Sequence, residues 1–392
     1  MENYLSRFII ICFLLTVFNS ACLSQTLKSI LKGKVVSKET NEPIQYATVF
    51  LAYTSKGSLT DEKGEFIING IADGNYEVVC AAVGFERVTT TILFLNSKKS
   101  EVSFSLTPVP IQVSEVSVIA SVPEDWEDHL IKFTKEFLGE STIARQCIIS
   151  NPEVIDFEIK ESKLFASSKK PLYVINKSLG YKVTVYIKHF EWDVDYDEGK
   201  FAYEPFFENI IYQDSTQVIR WNENRKAAYK GSFIHFLRSC AMGNGFDEGF
   251  RLLINETENN WKSKIENKMQ LSRITKNNWQ TKEEFESMLL KRMKQIPPSI
   301  FLLETFDQIV VVYKNNSEDP NYKWYKNRVF GIGDIKDYQS SVLNLPNGRL
   351  TFNTEGNILD RTMFNTALSG YWAWKRLGDL VPNDYEPPKD DE

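Results

Sequence analysis

The sequence predicts a β-sandwich followed by a larger α+β region whose strands pair mainly antiparallel. Three observations carry that expectation. Between residues 27 and 106, short apolar or alternating runs are separated by turn residues roughly every ten positions, with no helical period. Beyond residue 120, apolar stripes at helical spacing interleave with β-branched runs. The chain has 392 residues, 42% of them hydrophobic, enough for two cores of ordinary size.

The sandwich is read over residues 27–120. Strand-like runs cover 47–53, 65–68, 76–83, 87–93 and 101–106. Turn clusters separate them at Asn41-Glu42-Pro43, Asp61-Glu62-Lys63-Gly64, Ala72-Asp73-Gly74-Asn75 and Gly84. In the run 76–83, Tyr76, Val78, Cys80 and Ala82 fall on one face, as a two-residue period requires. Pro108, Pro110 and Pro123 mark the exit.

The α+β region is read over 121–385. Pro123 leads into Trp126, Leu130, Phe133 and Phe137, one helical stripe closed by Gly139. A second helix is expected over 224–242. A third opens on the capping pair Thr281 and Glu284, carries Phe285, Met288, Leu289 and Leu290, and stops before Pro297-Pro298. Residues 181–190 and 301–313 read as strands, and 350–360 as a strand pair around Glu355-Gly356. Residues 386–392 form a polar, frayed tail.

The N-terminus reads as an export signal. Residues 8–18, FIIICFLLTVF, are too short to cross a bilayer comfortably and have the length of a signal-peptide core, with Arg7 as a positive flank. Cys22-Leu23-Ser24 gives the small-x-small pattern of a cleavage site, so 1–24 is expected to be removed and Gln25 to begin the mature chain. The rival reading makes Cys22 a lipidated residue. The mature chain then holds Cys80, Cys147 and Cys240, which fit neither a zinc ribbon nor a disulfide framework and read as small buried hydrophobes.

The residues also carry a resemblance. LKGKVVSKETNEPIQYATVFL and GSLTDEKGEFIINGIADGNYEVVCAAVGFE present, in order, Gly33, Pro43, Ala47-Thr48-Val49, Thr60-Asp61, Gly64 with Phe66, Gly74 with Tyr76, and Gly84-Phe85. This segment resembles the carboxypeptidase-regulatory-like family, which implies a seven-stranded, transthyretin-like sandwich. Residues 113–119 resemble the strand that closes this domain in outer-membrane receptors, whose plug and barrel a chain of this length cannot hold. The remainder resembles the partner region of exported Gram-negative envelope proteins. The matching stretches include the Trp126 helix, Cys147 with Asn151-Pro152, Leu179-Gly180-Tyr181, Gly231-Ser232 with His235-Phe236, and Gly370-Tyr371-Trp372 through Asp379-Leu380-Val381-Pro382. That likeness implies an envelope location and no particular activity.

Several chemistries are excluded or weighed. Net charge is −6 with basic residues dispersed, so nucleic acid is not a partner. The three histidines, His129, His189 and His235, occur in neither H-x-x-E nor H-E-x-x-H, so zinc carboxypeptidase chemistry is not expected despite the family name. Asp193, Asp195, Asp197 and Glu204 stand at positions 1, 3, 5 and 12 of a calcium loop, but Glu198 occupies the glycine position and an acidic hairpin is the competing reading. Tyr229, Ser232, His235 and Arg238 follow at i+3 steps and could centre a hydrolase on Ser232 and His235, against a merely packed helix. Gly243, Gly245 and Gly249 follow a helix and form no phosphate cradle. Tyr371, Trp372 and Trp374 with Arg376 could form a ligand platform or close a core edge.

The expectation is an exported, non-catalytic envelope protein, periplasmic or associated with the outer membrane, that binds or scaffolds. Its partner would be another envelope protein or a glycan. No cofactor is expected, and no transmembrane helix in the mature chain. Two alternatives stand beside it: a glycan-binding accessory at the cell surface, and a hydrolase centred on Ser232 and His235.

Overall fold

Alternation in the first hundred residues resolves into two facing sheets in the computed structural model, which describes residues 28–95, 99–109, 125–255, 280–296, 299–322, 324–326, 337–359 and 366–388. Residues 1–24, expected to be a leader, with Cys22, and the strand expected at 113–119 lie outside the described residues. The strands are β1 (Ser29–Ser37), β2 (Thr48–Leu51), β3 (Gly57–Leu59), β4 (Glu65–Ile71), β5 (Gly74–Ala81), β6 (Val88–Phe94) and β7 (Lys99–Leu106). One sheet has the order β4-β1-β7 and the other β3-β2-β5-β6. All pairings are antiparallel except β1 with β7. Leu31, Val35, Phe66, Ile68, Val78, Cys80 and Phe104 fill the space between the sheets, as face alternation requires.

The rest of the chain mixes helices with largely antiparallel strands and builds two cores. Around the first lie α1 (Trp126–Leu138), β8 (Cys147–Ile149), β9 (Asp156–Lys160), β10 (Lys163–Ser167), β11 (Leu172–Asn176), β12 (Tyr181–Asp193) and β13 (Glu198–Asn209). The strands form one six-stranded sheet. The α1 stripe buries Phe133 and Phe137 against Phe190 and Leu164. Gly139 ends the helix at a φ of 102°.

The second core gathers α3 (Phe233–Ala241), β14 (Phe250–Asn255), α4 (Lys282–Leu290), β15 (Met293–Gln295), β16 (Ile300–Glu304), β17 (Gln308–Tyr313), β18 (Gln339–Asn344), β19 (Arg349–Asn353), β20 (Ala367–Gly370) and α5 (Tyr371–Trp374). In chain order α2 (Ser215–Tyr229) precedes α3, and its Tyr229 packs into the first core. The α4 start is the capping box expected at Thr281 and Glu284.

Three expectations are corrected here. The helix expected over 224–242 is two helices, because Gly231 adopts a φ of +80° and Ser232 caps a new start. The run 301–313 is two strands in different sheets, β16 and β17, broken at Thr305-Phe306-Asp307. Of the strand pair expected over 350–360, the described residues, up to 359, give β19 and a tight turn with a single bridge from Phe352 to Ile358.

The sandwich docks on the second region through its outer face. Phe50 and Val79 lie on the far side of β2 and β5 from the sandwich core and are 1% and 0% exposed. Phe50 packs 4.9 Å from Phe206 of β13 and stacks on Tyr186 of β12. Backbone bonds continue the seam: Tyr53 N to Pro205 O at 2.7 Å, Phe207 N to Thr54 O at 3.1 Å and Asn383 N to Tyr53 O at 2.7 Å. Arg87 pairs with the buried Glu204, and Lys188 sits 2.7 Å from Glu77. Hydrophobic contact with satisfied backbone groups fixes the relative placement of the two regions.

Candidate functional site

Where the sandwich and the second region fail to touch, they border an open-mouthed cavity of about 820 Å³. The floor comes from the α2–α3 break. Ser232 accepts the His235 backbone N–H on its hydroxyl at 3.2 Å, which starts α3. The left-handed turn at Gly231 lets its N–H reach His235 Nδ1 at 3.0 Å. A Cβ there would lie 2.4 Å from Gln339 Oε1 and 2.6 Å from the Tyr313 ring. The Gly231 carbonyl accepts from Trp372 Nε1 at 2.7 Å.

Because Nδ1 accepts, the His235 proton sits on Nε2 and is donated to Glu248 Oε2 at 3.1 Å. Lys230 reaches the same oxygen at 3.0 Å. Burial pulls the imidazole down to about 4, with the Glu248 hydrogen bond pulling the other way. Burial also acts on Glu248, but Lys230 and His235 together hold its carboxyl below the ordinary value. His235 is therefore a neutral, fixed wall residue.

One turn further, Arg238 ties three chain segments together. Its Nε donates to Glu355 O at 2.8 Å, and its two terminal nitrogens donate to Tyr385 O and Asn383 O, both at 2.7 Å. The Glu355 carbonyl belongs to a turn in which Asn353 Oδ1 accepts from Glu355 N at 3.0 Å and Asn357 N at 2.8 Å. That turn presents Glu355 and Asn357 to the cavity. From the sandwich side, Asn357 Nδ2 donates to the Tyr76 hydroxyl at 2.9 Å, while Asn353 and Ser299 hold Asp73. Leu51, Thr54, Lys56 and Ile71 complete the sandwich wall.

The sequence-predicted residues fall as follows. His235 does meet a carboxylate, Glu248, but Ser232 does not line the cavity, its hydroxyl accepts the His235 backbone N–H, and both ring nitrogens of His235 are committed elsewhere, so the pair is not arranged for nucleophilic attack. The calcium constellation does not converge. Asp193 Oδ1 accepts from Asp195 N and Tyr196 N, each at 3.1 Å, and Asp197 reaches Lys132 at 3.3 Å. Glu204 sits opposite Tyr186, six residues along β13 from the hairpin, about 20 Å at the usual strand rise. It is 1% exposed and engaged by Arg87 and Lys188. Among the described residues no group of three His, Cys, Asp or Glu is placed to hold a metal.

The aromatic platform is likewise buried: Tyr371, Trp372 and Trp374 are 4%, 8% and 4% exposed. They close core edges, Trp372 against Phe233 and Phe236, the other two against Tyr322. Arg376 lies over Phe201 and takes part in a capping box with Asp379. Cys80, Cys147 and Cys240 are free and buried. No helix among the described residues is long and apolar enough to cross a membrane. Glu386, assigned by its sequence to a frayed tail, lies 3.6 Å from Lys28 at the cavity rim.

Residues 31–118 match the model of the CarboxypepD_reg-like domain, so this segment is a carboxypeptidase-regulatory-like domain. No curated protein matches the chain. Among solved structures, it is similar to the pilus 2b backbone protein of group B streptococcus, at 15% identity over 21% of this chain and 42% of that one, with a TM-score of 0.19. A type II cohesin–X-dockerin complex from Acetivibrio cellulolyticus aligns at 22% identity over 29% of this chain and 76% of that one, with a TM-score of 0.19. The 3-chlorocatechol 1,2-dioxygenase of Rhodococcus opacus 1CP aligns at 15% identity over 22% and 62%, with a TM-score of 0.18. The chain spans less than half the length of the pilus protein.

Proposed function

We propose that this chain is an exported, non-catalytic envelope protein that binds its ligand in the cavity between its transthyretin-like sandwich and its α+β region. The observation that carries the reading is the cavity itself, about 820 Å³ and walled by both regions. Ligand sites favour such domain junctions, and the volume lies within the roughly 300–1,000 Å³ of small-molecule sites. The leader-like residues 8–18 and the regulatory-like domain favour a periplasmic or outer-membrane-associated location. The committed imidazole of His235 favours binding over hydrolysis.

Native mass spectrometry of the protein purified from its own envelope fraction tests this. Wild type is expected to start at Gln25 and to carry a non-covalent adduct that Ala72→Trp, which fills the cavity, removes. Absence of the adduct together with ester hydrolysis lost in Ser232→Ala would favour the hydrolase reading.

A further inference from the structure

Beside the cavity the chain crosses from the second region to the sandwich. Residues 380–388 form no helix or strand, and Asp384, Glu386 and Pro387 line the cavity. On the second region this segment is held in depth. Leu377, Leu380 and Val381 pack with the first core, the Tyr385 ring lies 5.9 Å from that of Tyr229, and Arg238 donates to the carbonyls of Asn383 and Tyr385.

On the sandwich the hold is polar and falls on the turn between β2 and β3. The Asp384 carboxylate accepts from the Ser55 N–H at 2.7 Å and from the Ser55 hydroxyl at 2.6 Å, with Lys56 at 3.8 Å. Asn383 N donates to Tyr53 O at 2.7 Å, and Lys28 lies 3.6 Å from Glu386. The Ser55–Asp384 bonds are exposed, and the side chains of Lys28 and Glu386 are 40% and 79% exposed, so water competes for each. Contacts of this kind open locally before a packed core does. The sandwich itself stays docked by a separate, buried contact, Phe50 on Phe206 and Tyr186.

We infer that residues 383–387 are a strap: rooted on the second region, they latch onto the β2–β3 turn through Asp384 and hold one side of the cavity mouth closed, and unlatching them admits solutes to its deep wall. The strap controls entry, and its test needs no ligand, so its failure is distinct from failure of the binding reading above. Ser239 lines the deep wall and is 2% exposed. Ser239→Cys therefore places a thiol where the mouth controls access. The free, buried Cys80, Cys147 and Cys240 serve as internal controls, one in each of the three large cores.

In the full chain, N-ethylmaleimide labelling is followed by peptide mapping in Ser239→Cys alone, then with Asp384→Ala added, then with Lys56→Glu added instead. Lys56→Glu sets a carboxylate against Asp384 from the exposed sandwich side and leaves the strap sequence intact. Each addition should speed labelling of the introduced thiol by about tenfold, while Cys80, Cys147 and Cys240 stay slow. An unchanged rate in both combinations would overturn the strap. Acceleration of all four thiols together would overturn it as well, because the segment would then hold the whole fold and not the mouth.

Discussion

Arg238→Met removes the cation that holds the turn at Glu355 and the C-terminal segment against α3. Arg238 is 7% exposed and makes three hydrogen bonds of 2.7–2.8 Å to carbonyl oxygens, with its guanidinium 5.3 Å from the Tyr229 ring. Hydrogen bonds from a charged donor contribute about 1.5–3 kcal/mol each, but Glu355 lines the cavity, so water can reach the vacated site and replace part of what the donor supplied. Taking about 1 kcal/mol for each gives a loss of about 3 kcal/mol, since methionine keeps the packing on Tyr229. For a chain of this size that is a fall in Tm of about 3–6 °C. Differential scanning fluorimetry reads the shift, and limited chymotrypsin digestion reads release of Tyr385. A Tm within about 1 °C of wild type, with Tyr385 still protected, would refute the idea that Arg238 clamps the two segments.

Three further outcomes follow from the same geometry. The His235 pKa falls from 6.5 unfolded to about 4 folded, so its contribution is complete above pH 6.5 and is lost as pH drops towards 4. That is about 3 kcal/mol, and urea titrations should show the wild-type excess over His235→Asn shrinking across this window; parallel pH profiles would contradict it. Gly231→Ala should cost about 2–4 kcal/mol, through the left-handed backbone and the contact with Gln339 and Tyr313, measurable as a lower urea midpoint. Residues 25–120 expressed alone should unfold cooperatively with a β-type spectrum, because the sandwich core is separate from the two cores of the second region. A disordered fragment would mean that Phe50 and Val79 need Phe206 for the sandwich to form.

The sandwich was legible because its turns are written in local chemistry: Asp61 accepts from Lys63 N and Glu65 N on Oδ1, and Gly64 supplies a φ of +72°. The expected runs nonetheless omit β1 and β3. Lys32-Gly33-Lys34 interrupts the apolar pattern of β1, and three residues are too few for alternation to register in β3. One signal of the docked face was present: Val79 and Phe50 are apolar on the outward side of strands whose inward side is already apolar, a pattern of burial on both faces. The α2–α3 break escaped notice because helical spacing continues through Tyr229, Ser232 and His235, and only the tertiary contacts of Gly231 decide the turn.

The cavity itself was not legible. His235 and Arg238 stand on the helix that the sequence singles out, but Glu248, Asn357 and Tyr76 come from distant segments whose meeting depends on how the regions dock. The calcium pattern failed for the complementary reason. Spacing in sequence placed Glu204 with the aspartates, whereas an extended strand carries it far from the hairpin and a pair with Arg87 buries it.

Hydrogen–deuterium exchange of the full chain as purified from its envelope fraction, compared with the same chain after denaturation, removal of its non-covalent adduct and refolding, tests the central claim most directly. Protection should appear together in residues 51–56, 231–244 and 353–357 and leave the 193–198 hairpin and the β8–β11 edge unchanged. Protection centred on the hairpin or on residues 371–376, or unchanged exchange along all three cavity walls, would contradict the assignment of the cavity as the binding site.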